Sequence, residues 1–160
     1  MGRRKKGNDM RVVLACDHRG YDAKKKLLPI IKKLGHTCDD LGCESTMSVD
    51  YPDYAAPAAR AVADGKYDLG ILLDGSGIGM SVVANKIHGV RAALAHDEVT
   101  ARIAREHNHC NVLCLGVDLL SEEQVRKITE IFLTAVLAEG RHARRIEKIA
   151  AIEKEIRSVK

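Results

Sequence analysis

Leu69-Gly70-Ile71-Leu72-Leu73-Asp74-Gly75-Ser76-Gly77-Ile78-Gly79-Met80-Ser81 decides the fold of this chain. An apolar run long enough for a buried strand ends in one carboxylate. Glycine then stands at every second position, and Ser81-Val82-Val83-Ala84-Asn85-Lys86 reads as a helix. A second apolar run, Val90-Arg91-Ala92-Ala93-Leu94-Ala95, comes next. Strand, glycine loop, helix, strand is half of a doubly wound sheet. Ligands of such sheets bind where strand carboxyl ends meet helix N-termini. Glycine lets the backbone come close to a ligand, and a helix start offers unpaired N–H groups and the positive end of a dipole. Asp74 therefore stands where folds of this kind do their chemistry.

The flanking segments extend the pattern. Arg11-Val12-Val13-Leu14-Ala15-Cys16 is a short strand closed by Asp17-His18-Arg19-Gly20. A helix is expected from Tyr21 to Leu34, with Leu27, Leu28, Ile31 and Leu34 on one face and Gly35 as its stop. His36 to Leu41 reads as a weaker strand, and Gly42 to Pro52 as a loop containing Ser45, Ser48, Asp50 and Tyr51. Pro52 opens a helix that runs to about Val62 and is closed by Asp64-Gly65. Downstream, Asp97 caps a helix from Glu98 to Glu106, and Asn111 to Gly116 is the last strand. Ser121 caps a long helix expected to run to about Leu137. Gly140 breaks it, and a charged helix runs from Arg141 to about Val159. This alternation predicts an α/β, three-layer, doubly wound (Rossmann-like) parallel five-stranded sheet with helices on both faces and a C-terminal helix. In the last helix Ile146, Ile149, Ile152 and Ile156 recur every three or four residues. That stripe packs either on its own sheet or on a partner subunit.

Composition narrows the function. At 160 residues one domain is expected. Residues 1–9 are read as a disordered basic tail or a cloning remnant, and 10–160 as the domain. The chain is 46% hydrophobic, yet no apolar run approaches the ~20 residues of a membrane span. Arg3-Arg4-Lys5-Lys6 is followed by Gly7-Asn8-Asp9 rather than by the apolar core of a secretory signal. Five cysteines without scaffold spacing fit a reducing, cytoplasmic setting. The formal charge of +4 resides in the N-terminal tetrad, and the remainder is near neutral. One Phe and no Trp offer no base-stacking surface, so neither nucleic acid nor membrane is expected as a partner.

Several motifs invite chemical readings. Gly75-Ser76-Gly77-Ile78-Gly79-Met80, with Asp97 about 20 residues on, approximates a dinucleotide fingerprint. Met80 takes the third glycine position, however, and the motif does not follow the first strand. No Gly-Lys-Ser/Thr follows either, so a small anionic ligand on the turn is the better reading. Asp17-His18 ends the first strand as Asp74 ends the central one, and parallel strands deliver their carboxyl ends to one edge. His107, His109, Cys110 and Cys114 suggest metal, but their spacing matches no tight zinc pattern, and none is expected. His107 can instead act as an acid or base near neutral pH. Arg141 and Arg145 lie one helical turn apart, which suits a phosphate monoester or, more plainly, a solvated basic face.

Six segments occur in a recognisable order: Cys16-Asp17-His18-Arg19-Gly20, Asp50-Tyr51-Pro52-Asp53-Tyr54-Ala55, Gly75-Ser76-Gly77-Ile78-Gly79 with Ala84-Asn85-Lys86, Arg91-Ala92-Ala93, His107-Asn108 with Asn111-Val112, and Gly140-Arg141-His142 with Arg144-Arg145. Together, over about residues 10 to 158, they resemble the type B ribose-5-phosphate isomerases and the related galactose-6-phosphate isomerase subunits. The resemblance implies interconversion of aldose and ketose phosphates through an enediolate, without metal or nucleotide cofactor. It also implies a homodimer or a dimer of dimers with sites shared between subunits. By position, His107 is implied to open the sugar ring and Asp17 to contact ring oxygens. His18, Arg141 and Arg145 would hold the phosphate, and Tyr51 and Asn108 line the sugar pocket. Gly75, Ser76, Gly77 and Gly79 would present N–H groups to the enediolate oxygen.

Two positions depart from the family pattern. Most members carry a catalytic cysteine where this chain has Asp74, and a second subgroup uses a glutamate at the place of Met80. Asp74 is then the one base left in the loop, and burial beside Leu72, Leu73 and Ile78 is expected to raise its pKa modestly. Many members also carry arginine where this chain has Asp118. The expected reaction is ribose 5-phosphate to ribulose 5-phosphate. The same chemistry on a four- or six-carbon sugar phosphate, or a degenerate sugar-phosphate-binding subunit, are the alternatives.

Overall fold

The structure, a computed structural model, describes residues 9–158. The expected tail thus falls outside the described residues except for Asp9, as does the expected end of the last helix at Val159. Five strands form one parallel sheet: β1 (Arg11–Cys16), β2 (Thr37–Asp40), β3 (Leu69–Asp74), β4 (Ala92–Leu94) and β5 (Val112–Gly116). Their order is β2-β1-β3-β5-β4. Val12 pairs with Leu69, and Asp74 with Gly116. Every residue of β3 is buried, because a parallel sheet covered on both faces leaves no polar side to its central strands.

The helices take two layers. α1 (Tyr21–Lys33), α4 (Glu98–Glu106) and α5 (Glu122–Thr134) cover one face, where Leu27, Ile31, Ala101, Val125, Ile128 and Phe132 meet Leu14, Ile71, Leu73 and Leu113. α2 (Pro52–Ala63) and α3 (Ile78–Ala84) cover the other, where Ala55, Ala58, Ala59, Met80 and Ala84 meet Val13, Ala15, Leu72 and Cys114. The two-residue alternation along each strand sorts its side chains between these cores. The alanines of α2 and α3 let those short helices lie close to the sheet. α6 (Arg141–Ser158) buries no residue against its own chain, and Ile149, Ile152 and Ile156 are exposed. Of the two uses for its stripe, packing on its own sheet is therefore ruled out.

Two boundaries differ most from expectation. α3 begins at Ile78 rather than Ser81, because Gly77 takes the left-handed conformation (φ 77°) and caps it. α5 stops at Thr134 rather than near Leu137. Ala-Val-Leu-Ala-Glu would extend a helix on propensity alone. Instead Ala135 turns extended, and the Ala138 N–H donates to the Glu106 carbonyl at 2.9 Å. Tertiary bonding overrides propensity there. The expected caps are present: Asp97 and Ser121 each form a reciprocal capping box.

The loop from Gly42 to Tyr51 is pinned by Lys24, a lysine with 3% exposure on α1. Its Nζ donates to the Cys43 carbonyl at 2.5 Å and pairs with Asp40 at 2.9 Å. Removing a buried donor leaves that carbonyl unsatisfied, so Lys24→Met is expected to lower the unfolding free energy by about 1–3 kcal/mol. Urea denaturation checks this, with Lys26→Met, which breaks only an exposed pair to Glu122, giving a much smaller change.

Candidate active site

The strand order reverses between β1 and β3, and a crevice is expected at such a switch point, at the carboxyl ends of the strands. Asp17 leaves β1 there, and Asp74 ends β3. Asp17 is buried, and its Oδ1 accepts the N–H groups of Arg19 (2.9 Å) and Gly20 (3.2 Å), a side-chain turn that Asp favours. His18 follows, with Nδ1 accepting the Val49 N–H at 3.2 Å. In the neutral ring this bond leaves the proton on Nε2, free to be offered to a ligand. The loop that Lys24 pins thus sets the tautomer of His18. The same loop delivers Tyr51, whose ring covers Gly79: a Cβ there would lie 2.8 Å from Cε2 and Cζ.

Asp74 has 4% exposure. Its Oδ1 accepts the Gly77 N–H in a short bond, and its Oδ2 accepts the Met80 N–H at 3.3 Å. The carboxylate therefore builds the loop and starts α3. Burial raises its pKa most strongly, the N–H donors of Gly77 and Met80 oppose this, and the nearby Asp17 charge adds to the rise. The direction is as expected, although Ile78, one of the residues named for the burial, is itself 55% exposed. Because Gly77 gives its N–H to Asp74, its contribution is its left-handed backbone and small volume rather than an N–H for a ligand. Ser76 accepts the Ile78 N–H through Oγ at 3.2 Å, and the main chain of Ser76 packs on Gly116, where a Cβ would come within 2.5 Å. Only glycine at 116 allows the loop to lie this close to β5. Met80 is a core residue with no exposure.

No cysteine substitutes for a base at this edge. All five are buried free thiols. Burial pushes Cys16 and Cys38 up to about 12 and Cys110 up to about 11, and Cys114 is raised as well by burial and the neighbouring Asp74 charge. Among the described residues no group of three or more His, Cys, Asp or Glu is arranged to hold a metal ion.

His107, Asn108, Arg141 and Arg145 lie elsewhere. His107 caps the end of α4 and precedes β5, so it stands at the amino edge of the sheet. About 13 Å of strand separates that edge from Asp74. The His107 ring stacks on His142 of α6, with centroids 4.1 Å apart and planes 12° off parallel. The proton affinity of His142 is lowered by desolvation first, and then by the neighbouring His107, Arg141 and Arg145. Arg91 fixes the turn by donating to the carbonyls of Asn108 (Nε, 3.2 Å) and His109 (Nη2, 2.8 Å). His109 has φ 47°, and its Nε2 lies 2.8 Å from the Ala138 carbonyl, tying the turn to the segment before α6. A polar cluster, a candidate half-site, thus stands at each edge of the sheet.

Other residues of the quoted motifs are structural. The Asn85 amide bridges the N–H and carbonyl of Ala92, both at 2.9 Å, and so fastens edge strand β4. Asn111 does the same between Arg91 and Gly89, both at 2.8 Å. Two polar residues given no role from the sequence also belong to the half-sites. His142 is one, and Arg19, paired with Asp118 beside Gly75, is the other. Each adjoins a residue already singled out and stands in one of the six quoted segments, which is the signal the sequence carries for them.

The Ribose/Galactose Isomerase family profile matches residues 12–149. Ribose-5-phosphate isomerase B of Escherichia coli is 38% identical over 143 residues, 89% of this chain and 96% of the relative. The structure of ribose-5-phosphate isomerase B from Clostridium thermocellum superposes with a TM-score of 0.89 at 39% identity, covering 92% of this chain and 99% of that one. That of the Mycoplasma genitalium enzyme with bound ribulose-5-phosphate gives a TM-score of 0.87 at 41% identity, covering 91% and 97%. With the profile spanning most of its length and relatives of this identity, the chain belongs to the Ribose/Galactose Isomerase family.

Proposed function

We propose that this protein is an aldose–ketose isomerase of phosphorylated sugars acting on ribose 5-phosphate and ribulose 5-phosphate. The observation that carries the reading is the buried Asp74 carboxyl, its pKa raised, beneath a glycine loop at the β1–β3 switch point, in a chain of this family. In the open-chain aldose, Asp74 takes the proton from C2 as the C1 carbonyl oxygen gains charge. The resulting enediolate lies against the loop backbone around Gly75, Ser76 and Gly79. Asp74 returns the proton to C1, while a proton passes from O2 to O1, giving the ketose. Asp17 and Tyr51 line the sugar, and His18 offers Nε2–H to the phosphate.

The second half-site comes from a second copy. His107, which would open the ring, cannot reach Asp74 within one chain, and Asn108, Arg141 and Arg145 share its edge. The unpartnered isoleucine face of α6 is the surface on which two copies would meet, as a homodimer or a pair of dimers. No helix among the described residues is long and apolar enough to cross a membrane, and a cytoplasmic setting fits the five free thiols.

A panel of four-, five- and six-carbon aldose phosphates tests the reading directly. Ketose is expected to form fastest from ribose 5-phosphate. A faster six- or four-carbon substrate would move the assignment, and no ketose from any would leave a binding subunit. Asp74→Asn is expected to lower kcat about 10²–10⁴-fold, the worth of a general base, with sugar-phosphate binding retained by calorimetry. Unchanged turnover would show that Asp74 only builds the loop. The pH profile follows from the raised pKa. Turnover requires the ionised carboxyl, so it should fall in acid with a midpoint above the ~3.9 of an ordinary aspartate. Folded Asp74 binds its proton more tightly than the unfolded chain. Its contribution to stability should therefore decline as pH rises from the ordinary value through the folded one, and Asp74→Asn should remove that slope.

A further inference from the structure

An ion pair beside the glycine loop has no part in the reaction just described. Arg19 donates from Nε to Oδ2 of Asp118 at 2.9 Å, and its Nη2 lies 2.8 Å from the same oxygen. Asp118 is itself fixed to the loop. Its N–H donates to the Gly75 carbonyl at 3.1 Å, and its Oδ2 would lie 2.7 Å from a Cβ on Gly75. The stem of Arg19 passes 3.7 Å from the same point, and its own N–H bonds Asp17 Oδ1. Arg19 thus links the Asp17 turn, through its main chain, to the glycine loop, through its side chain. Its side chain is 56% exposed and that of Asp118 41%. Nη1 has no hydrogen-bond partner among the described residues.

Exposed ion pairs contribute little to stability, so holding the fold together is a weak explanation for this one. An anion site offers a better one. A bare carboxylate at 118 would repel a phosphate bound near His18. An arginine whose fork is partly occupied by that carboxylate neutralises it and still has donors to give, because guanidinium carries five in one plane. We propose that Arg19, oriented by Asp118, is a phosphate-binding residue of this site, supplying from the Asp17 edge a cation that contacts the anionic end of the substrate. The assignment rests on the sugar-phosphate reading above.

The test compares Arg19→Ala, Arg19→Lys and Asp118→Ala. It reads kcat and KM on ribose 5-phosphate, and the dissociation constant of inorganic phosphate by calorimetry. Arg19→Ala is expected to raise KM and the phosphate constant about 10-fold, the loss of one charge-assisted contact, with kcat within about 2-fold of the parent. Arg19→Lys keeps the charge without the fork and should recover part of the loss. Asp118→Ala breaks the same ion pair but leaves the guanidinium, and should weaken phosphate no more than about 3-fold. Equal losses in Arg19→Ala and Asp118→Ala would mean that the pair only braces the loop, and would overturn the proposal. Phosphate binding unaffected by Arg19→Ala in an active parent would overturn it alone. A parent that binds phosphate through Arg19 but turns over no sugar would instead overturn the isomerase reading. A parent that binds no phosphate overturns this assignment.

Discussion

All five strands run the same way, and that constraint governs where chemistry can be assembled. A residue that follows a strand arrives at one edge of the sheet, and a residue that precedes a strand stays at the other. Asp17 and Asp74 follow β1 and β3, whereas His107 and Asn108 precede β5. Packing does not bring them together within one copy, because Asp74 pairs with Gly116 at the far end of the buried strand β5 from His107. The two edges nonetheless carry complementary chemistry. One holds two carboxyls and a glycine loop. The other holds stacked imidazoles with Arg141 and Arg145 nearby. In the proposed reaction each supplies half of what a sugar phosphate requires.

The carboxyl edge is organised by Asp74 in two senses. Its oxygens receive the N–H groups of Gly77 and Met80, and this fixes the loop before any ligand arrives. A loop already in place costs no ordering when substrate binds, which favours catalysis by preorganised dipoles. The same burial that makes those bonds strong raises the carboxyl pKa and makes it a better base than a solvated aspartate. In the proposed mechanism, structure and proton transfer thus draw on one group. A replacement at 74 has to be read for both, since asparagine can accept only one of the two N–H bonds.

Much of this was legible in the sequence. The alternation of apolar runs with amphipathic helices yields the sheet and its layers, and Asp74, Gly75, Gly77 and Gly79 announce the loop by their spacing. The end of α5 was not legible, because Ala135 to Glu139 have no local reason to leave a helix. They do so for a carbonyl on Glu106 and for His109, contacts distant in sequence. The position of Arg19 was hidden for the same reason, since its partner Asp118 is ninety-nine residues away. The separation of Asp17 and Asp74 from His107 and Asn108 was written in the element order, in whether each polar residue follows or precedes its strand.

Mixing two damaged copies tests the shared site most directly. Asp74→Asn and His107→Asn chains, each inactive alone, are unfolded together in urea, refolded at equal amounts and assayed on ribose 5-phosphate. If Asp74 of one copy works with His107 of another, mixed dimers contain one intact site, and activity returns to roughly one quarter of the parent's in a two-fold symmetric dimer. If both residues serve one chain, or if neither serves catalysis, mixing restores nothing beyond the sum of the two variants, and the shared site is contradicted.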